Sequence, residues 1–409
     1  MKPSSRREVI TMKRIIILFS FLILLTGCWD KKELNELAIA VGLAIDQAED
    51  GYKLSVQIVN PSEVSPQANA SGITPATVRS KQGETIYEAI RKLSLTNSRR
   101  IYTSHLRLLV INEDVAKEGI TEVLDFLSRD KDFRPDFFIM IARNSKAEDI
   151  LKVQTVTETI PANALYTLLK TSSKIWGETV SIDLRELLDM IAIPGKSPVL
   201  SGMEVIGDLK EGETKANTET TDSLAKFNYL GLGVFHKDQL VGWLNEEEGK
   251  GYNYITDKIK NTVGSIACPE EGEMSIEVMR SKTKQRAKMD ASGKPKIEVH
   301  VRAEANIGET DCSFDLMNIK EINELEKKVE KDITDIIDKT VHKVQEEYKT
   351  DIFGFGETIY RTYPKVWNEI KEEWREHFAN LDVQAKVKVD IKQLGVIGNP
   401  LKQDVEGHE

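Results

Sequence analysis

A period of two, written twice in the last third of the chain, most limits what this sequence can fold into. In "KIEVHVRAEANI" the residues Ile297, Val299, Val301, Ala303, Ala305 and Ile307 fall on one face, and Glu298, His300, Arg302, Glu304 and Asn306 on the other. "LDVQAKVKVDIKQLG" repeats the pattern with Leu381, Val383, Ala385, Val387, Val389 and Ile391 inward. Strict alternation describes strands with one wet face. Between them the period becomes helical. Ile322, Leu325, Val329, Ile333, Ile336 and Val344 form the stripe of one long helix. A second helix is expected from Pro364, since proline suits a first turn, with Trp367, Ile370, Trp374 and Phe378 as its stripe. Two helices laid on one side of such strands give a two-layer α+β domain, placed here at 266–400, with 401–409 as a polar tail.

Upstream the elements alternate. A capping-box spacing of Asp30 and Glu33 opens a short helix. "ELAIAVGLAID" is nearly all apolar and predicts a buried strand. "YKLSVQIVNP" predicts a half-exposed one with Leu54, Val56 and Ile58 inward, ended by Pro61. Residues 61–83, with three prolines, are expected to be a long irregular excursion. Helical spacing at Ile86, Ala89, Ile90 and Leu93, a strand in "HLRLLVIN", a helix around 115–129 and a strand in "DFFIMIAR" complete an α/β-like domain at 28–198. The boundary falls at "IPGKSPVLSG". A small strand-rich middle domain at 199–265 follows, its clearest feature two strands joined by a turn at His236-Lys237-Asp238-Gln239. The expected architecture is therefore α+β in three domains, with mixed or antiparallel sheets packed against helices.

All of this follows an export signal. Lys13 and Arg14 precede an apolar run from Ile15 to Leu25, eleven residues long, broken only by Ser20. A bilayer span needs roughly 20 residues. A basic flank, a short apolar core and a small-residue exit describe a signal peptide, here residues 1–27. Its exit, Leu25-Thr26-Gly27-Cys28, resembles the bacterial lipobox, in which the cysteine thiol takes a diacylglyceryl group and becomes the mature N-terminus. Residues before Met12 carry nothing export needs, so Met12 is a candidate start. Trp29, next to the anchor, either rests its amphipathic ring in the membrane interface or packs on the first domain.

The chain has 56 basic and 66 acidic side chains; five basic and one acidic lie in residues 1–27, which leaves the exported part at −14. That balance argues against nucleic acid and against an electrostatic hold on anionic lipid. Membrane attachment is assigned to the acyl chains. Cys268 and Cys312 are the remaining cysteines. An exported location permits a bridge between them, and two separate buried thiols fit equally well.

Catalytic patterns are sparse. The histidines at 105, 236, 300, 342, 377 and 408 include no pair at ligand spacing, and neither a metal nor another cofactor is implied. "LGLGVF" and "GFGET", the latter holding Gly354 and Gly356, lack the lysine and hydroxyl of a phosphate loop and are expected to be turns or strand bends. The densest polar cluster is "SRRIYTSH". Arg99, Arg100, Tyr102 and His105 there either read an anion, prepare His105 as a base, or tie a helix end to the first layer. "RSKTKQRAK", 280–288, is a solvated strand face, or a contact for lipid headgroups or an acidic partner.

Taken in order, five segments resemble the Ger(x)C spore-germination lipoproteins: Gly27-Cys28-Trp29-Asp30 with Glu33-Leu34; "SRRIYTSH"; "DFLSRDKDFRPDFFIMIAR", which holds Arg134; "GLGVFHKDQLVGWL", which holds Trp243; and "DIFGFGETIYRTYPKVWNEIKEEW", 351–374. The resemblance implies a three-domain lipoprotein on the outer face of the spore inner membrane. It implies Cys28 as the lipid-bearing residue and two membrane-embedded partners, the A and B subunits of a germinant receptor. It assigns no enzymatic activity. A lipidated solute-binding protein and an exported hydrolase are the competing readings.

Overall fold

The computed structural model describes residues 12–14, 36–64, 74–268, 272–310, 312 and 318–393. Cys28 and Trp29, the proposed export signal and the polar tail lie outside the described residues, residues 12–14 excepted.

The strands are β1 Leu37–Gln47, β2 Tyr52–Val59, β3 Ala76–Gly83, β4 Arg100–Tyr102, β5 Leu108–Asn112, β6 Phe138–Ala142, β7 Ile182–Asp183, β8 Val199–Gly207, β9 Ala225–His236, β10 Gln239–Leu244, β11 Thr262–Ala267, β12 Glu273–Met289, β13 Pro295–Thr310 and β14 Asp382–Gln393. The main helices are α1 Ile86–Leu93, α2 Glu113–Glu118, α3 Thr121–Arg129, α4 Pro161–Ile175, α5 Leu184–Ala192, α6 Glu246–Ile255, α7 Ile319–Lys343, α8 Phe355–Thr362, α9 Pro364–Ile370 and α10 Trp374–Ala379. They build two mixed sheets. One has the order β10-β9-β8-β6-β5-β1-β2-β3, with β4 beside β1 and β7 beside β6; the other has the order β11-β12-β13-β14.

In the larger sheet β1, β5, β6 and β8 run parallel, and parallel strands need cover on both faces. Adjacent residues of β5 show it. Leu109 and Ile111 point into a core with Ile86, Ala89 and Val123 of α1 and α3. Leu108 and Val110 point into a second core with Leu165 and Leu169 of α4. This is why "ELAIAVGLAID" is nearly all apolar.

Four readings of the upstream sequence need correction. Residues 61–83 are not wholly irregular: β3 pairs with β2 from Val59↔Ala76 to Tyr52↔Gly83. Its sequence, ATVRSKQG, is polar because it is an edge strand held through its backbone. The second face of β2 is covered rather than wet, since the Gln57 amide caps both the Ala162 N–H (2.9 Å) and the Leu151 carbonyl. The helix around 115–129 is two helices, parted at Gly119. The segment 199–265 carries no sheet of its own, because β8 hydrogen-bonds β6 at Ile141↔Gly202 and Ala142↔Met203 and brings β9 and β10 onto the first sheet.

The smaller sheet keeps the expected pattern. The six inward side chains of β13 are all buried. Against them packs α7 through Leu325, Val329, Ile333, Ile337, Val341 and, just beyond its end, Val344. Ile337 replaces the expected Ile336 as the fully buried position. The free edge of β14 is closed by α7, where Glu330 accepts from the Val389 N–H (3.1 Å) and Glu326 from that of Ile391 (3.0 Å). The expected second helix is broken into α9, a 3-10 turn at Lys371–Glu373, and α10. One hydrophobic core runs from Leu43 of β1 to Val389 of β14 and so passes through both sheets.

Candidate functional site

The segment 351–374 builds the joint between the sheets. Asp351 is buried, and its carboxylate accepts four backbone N–H bonds, from Phe353 (3.1 Å), Gly354 (2.9 Å), Phe355 (3.2 Å) and Gly356 (2.7 Å). Gly354 enters this turn at φ 78°, a region disfavoured for side-chain-bearing residues. The turn leads into α8, so "GFGET" is both the expected turn and a helix start. Burial pushes the Asp351 carboxyl up to about 6, against the opposing pull of the four donors.

From this turn, bonds reach three other stretches of the chain. Ser197 N–H donates to the Asp351 carbonyl (2.7 Å), and the Ser197 and Thr350 hydroxyls meet at 2.9 Å. Thr350 also faces His236 Nδ1 (3.3 Å). Gln285, an inward residue of β12, donates to the carbonyls of Phe353 (3.0 Å) and Ile255 (3.2 Å). Gly356 lies directly on Gly195, where an added Cβ would stand 2.7 Å from the Gly195 Cα and 2.8 Å from the Trp367 ring. Pro364 opens α9. Trp367 and Trp374 meet edge-on at 5.2 Å, and Trp374 reaches Phe378 at 6.2 Å. Packing, not ligand stacking, accounts for these rings.

Trp243 makes a second joint. Its indole N–H donates to Glu113 Oε1 (3.0 Å), and Arg143 lies over its ring at 4.5 Å. Tyr348, just beyond α7, treats β10 as a strand partner: its hydroxyl donates to the Trp243 carbonyl (2.8 Å) and accepts from the Trp243 N–H (3.2 Å). Tyr348, Asp351 and Gly195 were not singled out in the sequence. An aspartate three residues before Gly-Phe-Gly was the one local hint of an N–H-lined turn.

"SRRIYTSH" does not assemble a catalytic centre among the described residues. β4 runs parallel to β1. Arg100 pairs with Asp132 (2.8 Å), and the Ser104 hydroxyl donates to the Asp132 carbonyl (2.7 Å). The cluster thus ties the end of the α3 loop to the first layer. Arg99 is exposed. His105, also exposed, meets the Tyr102 ring at 5.7 Å. Arg134 pairs with Asp136 at 3.4 Å on the surface. Beside this region α1 and α3 border an open groove of about 760 Å³, with Ile86 and Phe126 on its apolar side and Arg91, Glu122, Asp125 and Arg129 on its polar side. Arg129 is paired with Asp125 (2.8 Å), and Arg91 lies over Tyr87.

Cys268 and Cys312 are joined by a disulfide, with their Cα atoms 5.6 Å apart. Among the described residues no group of acids, histidines and cysteines is placed to hold a metal, and no helix is long and apolar enough to cross a membrane.

A ten-stranded and a four-stranded mixed sheet, welded by a buried aspartate turn, define a class of α+β protein, and comparison with known proteins places it. Residues 30–205 match the family described as spore germination protein N-terminal domain, and residues 230–395 match spore germination B3/GerAC like, C-terminal. The chain is 36% identical to spore germination protein KC of Bacillus subtilis (strain 168), over 95% of this chain and 97% of that one. It is 27% identical to spore germination protein B3 of the same organism, over 95% and 99%. The crystal structure of the GerBC protein has the same fold, with a TM-score of 0.54 at 22% identity, over 88% of this chain and 99% of that one. This chain belongs to the Ger(x)C family of spore germination proteins.

Proposed function

We propose that this chain is the lipid-anchored, non-catalytic C subunit of a spore germinant receptor. In this reading Cys28 carries the diacylglyceryl group, and the folded body stands on the outer face of the spore inner membrane beside two integral-membrane subunits, A and B. Its similarity to a spore germination protein along almost the full length of both chains carries the reading. The joint supports a scaffold role: it ties residues 197, 236, 285 and 351 into one body. A solute-binding protein of two similar lobes is disfavoured by the unequal sheets. Acyl anchoring would keep the body at high effective concentration beside its partners without a strong pairwise contact.

Replacing Cys28 by alanine tests this in spores. The expected outcome is loss of the chain from the inner-membrane fraction together with loss of the nutrient response that depends on its receptor. A full response with an unanchored, soluble chain overturns the anchor, and affinity capture that brings down no polytopic protein overturns the receptor role.

A further inference from the structure

The acidic total of the chain hides a local reversal of sign. The outer face of the four-stranded sheet carries Arg280, Lys282, Lys284, Arg286 and Lys288 on β12, Lys296, His300 and Arg302 on β13, and Lys386 and Lys388 on β14. The register sets Lys282, Arg302 and Lys388 in one row across three strands, and Lys284, His300 and Lys386 in the next. Acids on this face are fewer. Glu304 and Asp390, with Glu277 beyond them, close one end and Asp382 the other, while Glu298 is taken up by Lys288 (2.8 Å), Lys386 (2.8 Å) and His300 (3.0 Å). Lys282 pairs with Asp257, and Lys388 with Glu330 at 3.0 Å. Lys284, Arg286 and Arg302 have no ion pair among the described residues, and with Lys282 and His300 they line a concavity of about 310 Å³.

We propose that this face seats on an anionic membrane leaflet, with lipid phosphates entering the concavity between Lys284, Arg286 and Arg302. Strands lie about 4.8 Å apart and same-face residues about 6.6 Å apart along each. From Lys282 to Lys288 the cations therefore extend about 20 Å, over three strands. A field that broad and shallow matches a charged plane better than a single small ion. The net negative charge elsewhere does not oppose contact, because charges more than about 8 Å from the leaflet are screened at physiological salt. Net charge thus misleads as a guide to lipid binding here. The inference rests on the membrane-anchored reading, but its assay needs no anchor, so either can fail alone.

The test uses the exported chain from Trp29 onward, which carries neither the signal segment nor an acyl group, and compares it with the same chain bearing Lys284→Gln, Arg286→Gln and Arg302→Gln. Partition is measured onto phosphatidylglycerol–phosphatidylcholine vesicles and onto phosphatidylcholine alone, at low and high salt. Each cation near an anionic surface is expected to strengthen binding about five-fold, so the triple variant loses about 100-fold on anionic vesicles and nothing on neutral ones. Hydrogen exchange should slow over 282–302 only with anionic vesicles. A Lys284→Arg, Arg302→Lys variant, which keeps the charge, retains binding. Equal partition of parent and triple variant overturns the proposal. So does abolition of vesicle binding by inorganic phosphate at an ionic strength that sodium chloride leaves harmless, since that makes the concavity a soluble-anion site. An unchanged vesicle partition beside loss of binding to an acidic polypeptide also overturns it.

Discussion

In the ten-stranded sheet, neighbouring residues of β5 enter two different cores. In the four-stranded sheet, one residue of each neighbouring pair on β13 is packed and the next faces outward. The first region has spent both faces on its own helices and keeps only edges, loops and a groove for contact. The second keeps a whole sheet face and loads it with cations. Structural work is therefore concentrated in the first sheet and in the joint, and contact in the second.

The largest break in this comparison comes from the doubly covered sheet. Leu109→Ala removes a fully buried side chain from β5 and is expected to cost about 3 to 4 kcal/mol, read as a lower urea midpoint at unchanged slope. The joint comes next. Folding raises the Asp351 carboxyl from 3.8 to about 6, so the folded chain holds that proton more tightly than the unfolded one. The resulting stability is fully present below about pH 4 and is lost as pH rises to about 6, a change of about 3 kcal/mol. Asp351→Asn is expected to remove that slope. It also leaves a backbone N–H facing an amide donor, which costs about 1 to 3 kcal/mol at pH 4. Urea midpoints of parent and variant at each pH separate this carboxyl from all others. The smallest effect belongs to the open face, where the vesicle-test substitutions should each change stability by no more than about 0.5 kcal/mol. A large loss there would mean that the face is structural.

Legibility of the sequence followed the same division. β13 was readable residue by residue because one face is packed and the other wet, and the period survives both. β1 was readable as buried, but not as the centre of a sheet with two cores. β3 escaped because an edge strand paired through its backbone needs little apolar sequence. The addition of β8 to β6 rests on pairing between residues about 60 apart, and such a bond leaves no local trace. The 351–374 segment stood out as a motif. Its role in joining three stretches of chain depended on Ser197, His236 and Gln285, none of which looks unusual where it stands.

Scaffold and cationic face both depend on the two sheets sharing one core and moving as one body. Hydrogen exchange of the full chain through a urea series tests this most directly, with peptides from β5 and β6 followed beside peptides from β13. The account predicts that both sets lose protection at the same urea concentration. Two well-separated midpoints would show independent units and contradict it.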